Sequence, residues 1–239
     1  MVDIRIISTG SEGNCYLLTN GEGRLLIEAG LPARQIYKAL DHRVASLDGV
    51  LISHAHGDHI VGAKELAKRG VDLYMSKGTA DDAGLTGHRI VHVEPSKTVV
   101  IKKRWAVVPF DAVHDGTQPL CFLIGTPKGD RILYASDTAL IRAKFDGLTH
   151  IMIECNYRED LITDCPYRSR LFTTHMSVRG CIRFLNSIDK TTVKKVYLIH
   201  GSKENLNAMD AIEQVMDQTG FTRDQIVTKE SPRKYKRLT

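Results

Sequence analysis

Gly49-Val50-Leu51-Ile52-Ser53-His54-Ala55-His56-Gly57-Asp58-His59 packs three imidazoles and a carboxylate into six residues, directly after an apolar run. The apolar residues read as a buried strand that ends in a loop, with a helix beginning near Asp58. That order delivers His54 and His56 to one side of a cleft and sets Asp58 and His59 at the helix start. A polar surface loop or an affinity tract needs neither the preceding strand nor the interposed carboxylate. Imidazole nitrogen and carboxylate oxygen suit zinc, manganese or iron, and no thiolate lies nearby to close a structural site. The pattern H-x-H-x-D-H therefore points to an open metal centre with room for two adjacent ions.

Three distant residues stand in a similar context. His114 follows the run Val107-Val108-Pro109-Phe110-Asp111-Ala112-Val113, Asp137 follows Ile132-Leu133-Tyr134-Ala135-Ser136, and His200 follows Val196-Tyr197-Leu198-Ile199. Each terminates a hydrophobic run at its C-terminal end, which is how a sheet edge gathers ligands distant in sequence. The motif and this order resemble the metallo-β-lactamase superfamily. The resemblance implies one ion on His54, His56 and His114, a second on Asp58, His59 and His200, and Asp137 bridging the two. One position departs from the pattern: where many members carry Asp after an early strand, this chain has Leu26-Ile27-Glu28-Ala29-Gly30. Glu28 is expected to support a metal ligand from outside the coordination sphere, as the shorter carboxylate does. His42, His88, His92 and His150 lack such placement and read as structural or solvent-facing.

Other segments narrow the resemblance to the YycJ-type (WalJ-type) proteins and the related phosphoribosyl cyclic phosphodiesterases. They are Ser8-Thr9-Gly10-Ser11-Glu12-Gly13-Asn14-Cys15, Glu154-Cys155-Asn156, Thr174-His175-Met176-Ser177 and His200-Gly201-Ser202-Lys203-Glu204-Asn205. The YycJ-type group is described as 5′-end DNA exonucleases. By the same analogy His175 is expected to touch a phosphate oxygen or protonate the leaving alcohol, with Glu154 as its partner. Ser11, Asn14, Ser202, Lys203 and Asn205, together with Arg158, Arg168 and Arg170, are expected to contact substrate, since guanidinium forks suit phosphate oxygens.

The remaining features agree. At 239 residues and 42% hydrophobic content the chain is long enough for one well-buried domain spanning 1–239, with a basic and flexible tail from about 231. No run reaches the roughly twenty apolar residues of a membrane span, and Met1-Val2-Asp3-Ile4-Arg5 lacks the start of a signal peptide, so a cytoplasmic protein is expected. The five cysteines are odd in number and show no C-x-x-C spacing, which fits reduced thiols. A net charge of +5, with clusters at Lys102-Lys103-Arg104 and Arg233-Lys234-Tyr235-Lys236-Arg237, fits an anionic partner such as nucleic acid, DNA above all.

Patterning predicts strands at 4–8, 15–19, 24–28, 49–52, 71–75, 90–93, 98–101, 105–110, 120–124, 131–135, 151–154 and 195–199. It predicts helices at 32–40, 59–69, 178–188 and about 205–218. The fold class expected from the resemblance is α/β, an αββα sandwich of two packed mixed β-sheets with helices on the outer faces. The function expected is hydrolysis of a phosphodiester by two divalent ions, zinc or manganese, that share a nucleophilic water, in a DNA exonuclease acting 5′ to 3′. A small cyclic phosphodiesterase, a hydrolase of a carbonyl substrate such as a lactam, lactone or thioester, and a non-catalytic nucleic-acid-binding protein are the alternatives. Oligomeric state stays open.

Overall fold

The structure is a computed structural model that describes residues 1–162 and 168–229. The first half of the chain runs β1 (Asp3–Ser8), β2 (Cys15–Thr19), β3 (Arg24–Ile27), α1 (Ala33–Ala39), β4 (Gly49–Leu51), α2 (Gly57–Ile60), α3 (Ala63–Lys68), β5 (Leu73–Met75), α4 (Lys77–Asp82) and β6 (Ile90–His92). The second half runs β7 (Val99–Ile101), β8 (Trp105–Asp111), β9 (Leu120–Gly125), β10 (Arg131–Ala135), β11 (His150–Glu154), α5 (Arg168–Thr174), α6 (Val178–Ser187), β12 (Lys195–Ile199), α7 (Ala208–Thr219) and β13 (Ile226–Val227).

These strands form two sheets, ordered β1-β2-β3-β4-β5-β6 and β13-β12-β11-β10-β9-β8-β7. Each opens with an antiparallel meander, β1 to β3 or β7 to β10, and continues with parallel strands, β3 to β6 or β10 to β13. Parallel neighbours need crossovers, supplied by α1 between β3 and β4, α2 and α3 between β4 and β5, α4 between β5 and β6, α5 and α6 between β11 and β12, and α7 between β12 and β13. Ligands of such sheets collect at the carboxyl ends of the parallel strands. Glu28, His54, Asp137, Glu154 and His200 all lie at or just beyond the ends of β3, β4, β10, β11 and β12.

Period-two alternation distributes the core. Leu25 and Ile27 of β3, with Tyr134 of β10 and Met152 of β11, face the space between the sheets beside Trp105 and Phe122. Leu26 and Val50 turn outward onto Ile36 of α1 and Leu66 of α3. Leu133, Ile151 and Ile153 turn outward onto Cys181 and Leu185 of α6 and Val215 of α7. Helix, sheet, sheet and helix are thus stacked in four layers, the α/β sandwich expected from the sequence. At the end of β4 away from His54, Trp105 Nε1 donates to Asp48 Oδ2 at 2.9 Å, tying one sheet to the other.

The helix expected at 59–69 is broken into α2 and α3 by Gly62, which caps α3. A Cβ at Gly62 would stand 2.5 Å from the Leu31 carbonyl oxygen, so the chain passes too close to Leu31 for any larger residue. Helices α4 and α5 and strand β13 lie outside the elements expected. Helix α7 starts at Ala208 rather than near 205, because Asn207 caps it by accepting from Met209 N–H and Asp210 N–H. Of the histidines expected to be structural or solvent-facing, His150 is structural: it is buried at the head of β11, with Nδ1 2.9 Å from Thr149 Oγ1. Cys15, Cys121, Cys155 and Cys181 are buried free thiols, whereas Cys165 and the basic tail lie outside the described residues. Among the described residues no helix is long and apolar enough to cross a membrane.

Candidate metal centre

Three residues beyond strand ends adopt left-handed backbone: Glu28 (φ 62°), Asp137 (φ 51°) and His200 (φ 53°). That conformation is uncommon for residues with a side chain and persists where surrounding contacts hold it. At His200 the backbone N–H donates to Thr9 Oγ1 at 2.8 Å, and Asn156 Nδ2 donates to the His200 carbonyl oxygen at 2.7 Å. At Glu28 the N–H donates to the Leu51 carbonyl at 2.9 Å. Each of these turns swings its side chain toward the loop at His54 to His59.

Seven side chains converge there in two donor groups and a link. His56 Nδ1 lies 2.9 Å from His54 Nε2 and 3.2 Å from His114 Nε2. In the second group Asp58 Oδ2 lies 3.3 Å from His200 Nε2 and 3.5 Å from His59 Nε2. Asp137 stands between them, with Oδ2 3.0 Å from His59 Nε2 and Oδ1 3.5 Å from His200 Nε2 and 3.9 Å from His114 Nε2. Two donors on one ion, with bonds of about 2.0–2.1 Å and angles of about 90–110°, stand roughly 2.9–3.4 Å apart. The spacings in both groups approach that range, so the residues fit divalent-cation binding.

The far nitrogens of the imidazoles are anchored. His54 Nδ1 lies 2.9 Å from Ser53 Oγ, His59 Nδ1 3.5 Å from Glu28 Oε1, and His200 Nδ1 3.2 Å from Glu154 Oε1. His114 Nδ1 donates to the Thr174 carbonyl oxygen at 2.8 Å. Fixing Nδ1 turns Nε2 inward as the donor to a cation. Glu28 is held in turn by Tyr134 Oη, which donates to its Oε1 at 3.0 Å, and by Ser53 N–H, which donates to its Oε2 at 3.3 Å. The longer carboxylate at position 28 thus still reaches His59.

Electrostatics divide the two groups. Burial pushes His54 and His114 below the usual histidine range, leaving neutral imidazoles suited to ligation. At His59 burial opposes the charge, but Asp137 and Glu28 outweigh it and hold the group well above its usual range. His200 is raised to about 10, burial being outweighed by Asp137, Asp58 and Glu154. Burial also opposes ionisation of Asp137, yet His200 and His59 keep it well below the ordinary carboxylate range, and His200 and His59 do the same for Asp58. Buried carboxylates that depend on facing positive charge form a pocket prepared for cations.

His175 lies in the break between α5 and α6, whose cap Ser177 accepts from Gly180 N–H. Its Nδ1 lies 2.7 Å from Glu154 Oε1 and 3.5 Å from Asp137 Oδ1, and its ring stacks on His200 with centroids 5.6 Å apart. Burial lowers its proton affinity, but the hydrogen bond with Glu154 outweighs that and raises it overall. The other oxygen of Glu154 accepts from Thr138 N–H at 3.0 Å and Met176 N–H at 3.1 Å. One fully buried carboxylate thereby joins the Asp137 loop, the His175 turn and His200.

The residues expected to contact substrate are placed unevenly. Ser11 is exposed on the loop between β1 and β2. Asn14 is fully buried beneath it, donating through Nδ2 to Asp58 Oδ2 at 3.2 Å with His59 Nε2 3.0 Å away, so it supports the donors and lines no approach. That packing requires Gly30, since a Cβ there would stand 1.7 Å from the Asp58 carbonyl oxygen. Arg158 is bound to Asp160 and Asp210, and Arg168 lies over the Phe172 ring. Arg170 is bound to Asp115. Ser202 Oγ accepts from Asn205 N–H at 3.1 Å, and Lys203 pairs with Glu12. Ser202 and Lys203 line, with Thr9, Asn207 and Lys229, a cleft of about 720 Å³ beside the His200 turn. The sequence assigns no role to Ser53, Tyr134, Thr174 or Asp115: the last three act through contacts across 106, 60 and 55 positions of chain, and Ser53 through the ring orientation of the adjacent His54.

A two-sheet sandwich with histidines and carboxylates converging at one rim defines a metal-dependent hydrolase of the metallo-β-lactamase fold. The chain belongs to the beta-lactamase superfamily domain family, whose profile matches residues 23–200. It is similar to the exodeoxyribonuclease WalJ of Streptococcus pneumoniae, at 28% identity over 223 residues covering 84% of this chain and 81% of that protein. Similarity to the exodeoxyribonuclease YycJ of Bacillus anthracis extends over 90% of this chain and 89% of that protein, at 21% identity. The solved metallo-beta-lactamase fold protein YhfI from Bacillus subtilis shares the fold with a TM-score of 0.73, covering 95% of each chain at 16% identity.

Proposed function

We propose that the chain, acting as a single cytoplasmic domain, is a dinuclear metal phosphodiesterase that degrades DNA from the 5′ end. The observation that carries this reading is Asp137, whose two carboxylate oxygens reach toward both donor groups at once. Similarity to two exodeoxyribonucleases over most of the chain supports DNA as the substrate. His54, His56 and His114 would hold one ion, Asp58, His59 and His200 the other, with Asp137 common to both.

When bound, two such cations, zinc or manganese, lower the pKa of a shared water toward neutrality and offset charge developing on phosphoryl oxygens. The chain's own residues do the rest. Glu154 fixes His175 through Nδ1, which leaves Nε2 to carry a proton to the departing oxygen. Asn14 and Glu28 keep Asp58 and His59 in place from below. Ser11, Ser202, Lys203 and Asn205, on the loops flanking the His200 turn, would meet the sugar-phosphate backbone, a contact that carries little sequence information.

The test is incubation of the purified chain with end-labelled linear duplex DNA, single-stranded DNA, RNA and a small cyclic phosphodiester, each with manganese, zinc or chelator. The reading predicts metal-dependent mononucleotide release from the 5′ end of DNA. Cleavage confined to the cyclic ester, or binding without cleavage, contradicts it.

A further inference from the structure

The ion pair between Asp115 and Arg170 borders the first donor group. Asp115 Oδ2 accepts from Arg170 Nε at 2.7 Å and Oδ1 accepts from Nη2 at 3.1 Å, a two-point fork. The same Oδ1 lies 3.1 Å from His114 Nε2 and 4.0 Å from His56 Nε2. His114 gives its Nδ1 proton to the Thr174 carbonyl oxygen, so Nε2 is the nitrogen it offers to a cation. A carboxylate oxygen thus stands at the edge of a cation position with a guanidinium behind it. Those are the two partners that a non-bridging phosphate oxygen requires during hydrolysis.

The pair is also built to open. The Asp115 and Arg170 side chains are 43% and 47% exposed, and a pair so exposed to water contributes little net stability. Arg170 sits on α5, one turn before Thr174 and His175, so its guanidinium and the His175 imidazole are carried by the same short segment. Arg158 offers no equivalent, since its partners Asp160 and Asp210 lie outside the donor groups.

We propose that Arg170 contacts the non-bridging oxygens of the scissile phosphate and that Asp115 holds that place between turnovers. This inference rests on the phosphodiesterase reading and specifies how that site recognises its anion. The incoming phosphate exchanges with Asp115 on Arg170, and on product release Asp115 returns. A phosphodiester carries one negative charge, as the carboxylate does, so it displaces Asp115 through the second contact that it makes at the neighbouring donor group.

The experiment uses the full chain in saturating manganese. It measures phosphate binding by calorimetry, and kcat and KM with both bis(p-nitrophenyl) phosphate and 5′-labelled duplex DNA. Arg170→Ala is expected to weaken inorganic phosphate binding by about tenfold and to lower kcat/KM on both substrates by at least that factor. Arg170→Lys restores part of each, because it returns the charge without the fork. Asp115→Asn removes the competing anion and is expected to tighten phosphate severalfold. Unchanged phosphate affinity in Arg170→Ala, or parallel weakening in Arg170→Ala and Asp115→Asn, overturns the proposal and leaves the pair a structural clasp. The expected responses on the small diester without cleavage of DNA would refute the nuclease reading while upholding this one. DNA degradation unaffected by Arg170→Ala would do the reverse.

Discussion

Replacement of Glu154 by glutamine isolates the residue on which the site's geometry converges. Oε1 faces two imidazole nitrogens, His175 Nδ1 at 2.7 Å and His200 Nδ1 at 3.2 Å, and Oε2 faces two backbone N–H groups, Thr138 and Met176, at 3.0 and 3.1 Å. The two backbone groups are fixed donors, and each imidazole donates to the carboxylate when Nδ1 holds the proton and Nε2 faces a cation. A glutamine has one acceptor oxygen and one NH2, so its NH2 either strands the two backbone donors or forces both imidazoles to give up their Nδ1 protons. Each stranded buried donor costs about 1–3 kcal/mol, so Glu154→Gln should lose about 4 kcal/mol. That is a large part of the about 5–15 kcal/mol that holds a typical domain. Urea unfolding in chelator measures the loss without a metal contribution. Turnover in manganese should fall by about a hundredfold or more, since displacement of His175 or His200 by about an ångström is enough for that. A variant within about 0.5 kcal/mol of the parent and within twofold in kcat would refute the claim that Glu154 organises the site.

Other perturbations test separate parts. Tyr134→Phe removes the hydroxyl that holds Glu28 and should cost about 1–3 kcal/mol in urea unfolding, with metal affinity falling about tenfold in a chelator competition. Gly30→Ala forces a methyl group to within 1.7 Å of the Asp58 carbonyl oxygen, so the loop must move; metal binding should be lost and stability should fall by about 3 kcal/mol. His150 is pushed down from 6.5 to about 4, by burial that outweighs Asp130. It is neutral in the fold and charged in the unfolded chain across that interval, so its contribution is present above pH 6.5 and is lost as pH falls toward 4. The loss amounts to at most about 3 kcal/mol. In chelator, His150→Gln should therefore show a flatter decline in stability over that window than the parent, and equal slopes would contradict the assignment.

The strand skeleton was legible because its strands are short apolar runs bounded by turn residues. Leu25-Leu26-Ile27 and Ile132-Leu133-Tyr134 divide between inner and outer faces as period two requires. His54, His56, Asp58 and His59 were legible from their dense spacing after one apolar run, and His114, Asp137 and His200 because each ends such a run; the structure gathers all seven at one rim. Helix α5 was not, since Thr174 is its one buried residue and no apolar stripe marks it. The split of the helix at Gly62 follows from the approach of the Leu31 carbonyl, which no periodicity reveals. Asn14 reads in sequence as a polar loop residue available to substrate. It is buried because Asn14 N–H donates to the Asp58 carbonyl at 2.7 Å, across 44 positions of chain. The anchors of the imidazoles, Thr174 for His114 and the Glu28–Tyr134 pair for His59, likewise exist only after the two sheets have packed.

The most direct test is a crystal structure of the manganese- or zinc-loaded chain, with anomalous scattering used to count and place the ions. The account predicts two ions about 3.5–4 Å apart, one on His54, His56 and His114, the other on Asp58, His59 and His200, with Asp137 touching both. A single ion at full loading, or a pair that leaves Asp137 or His200 uncoordinated, would contradict it.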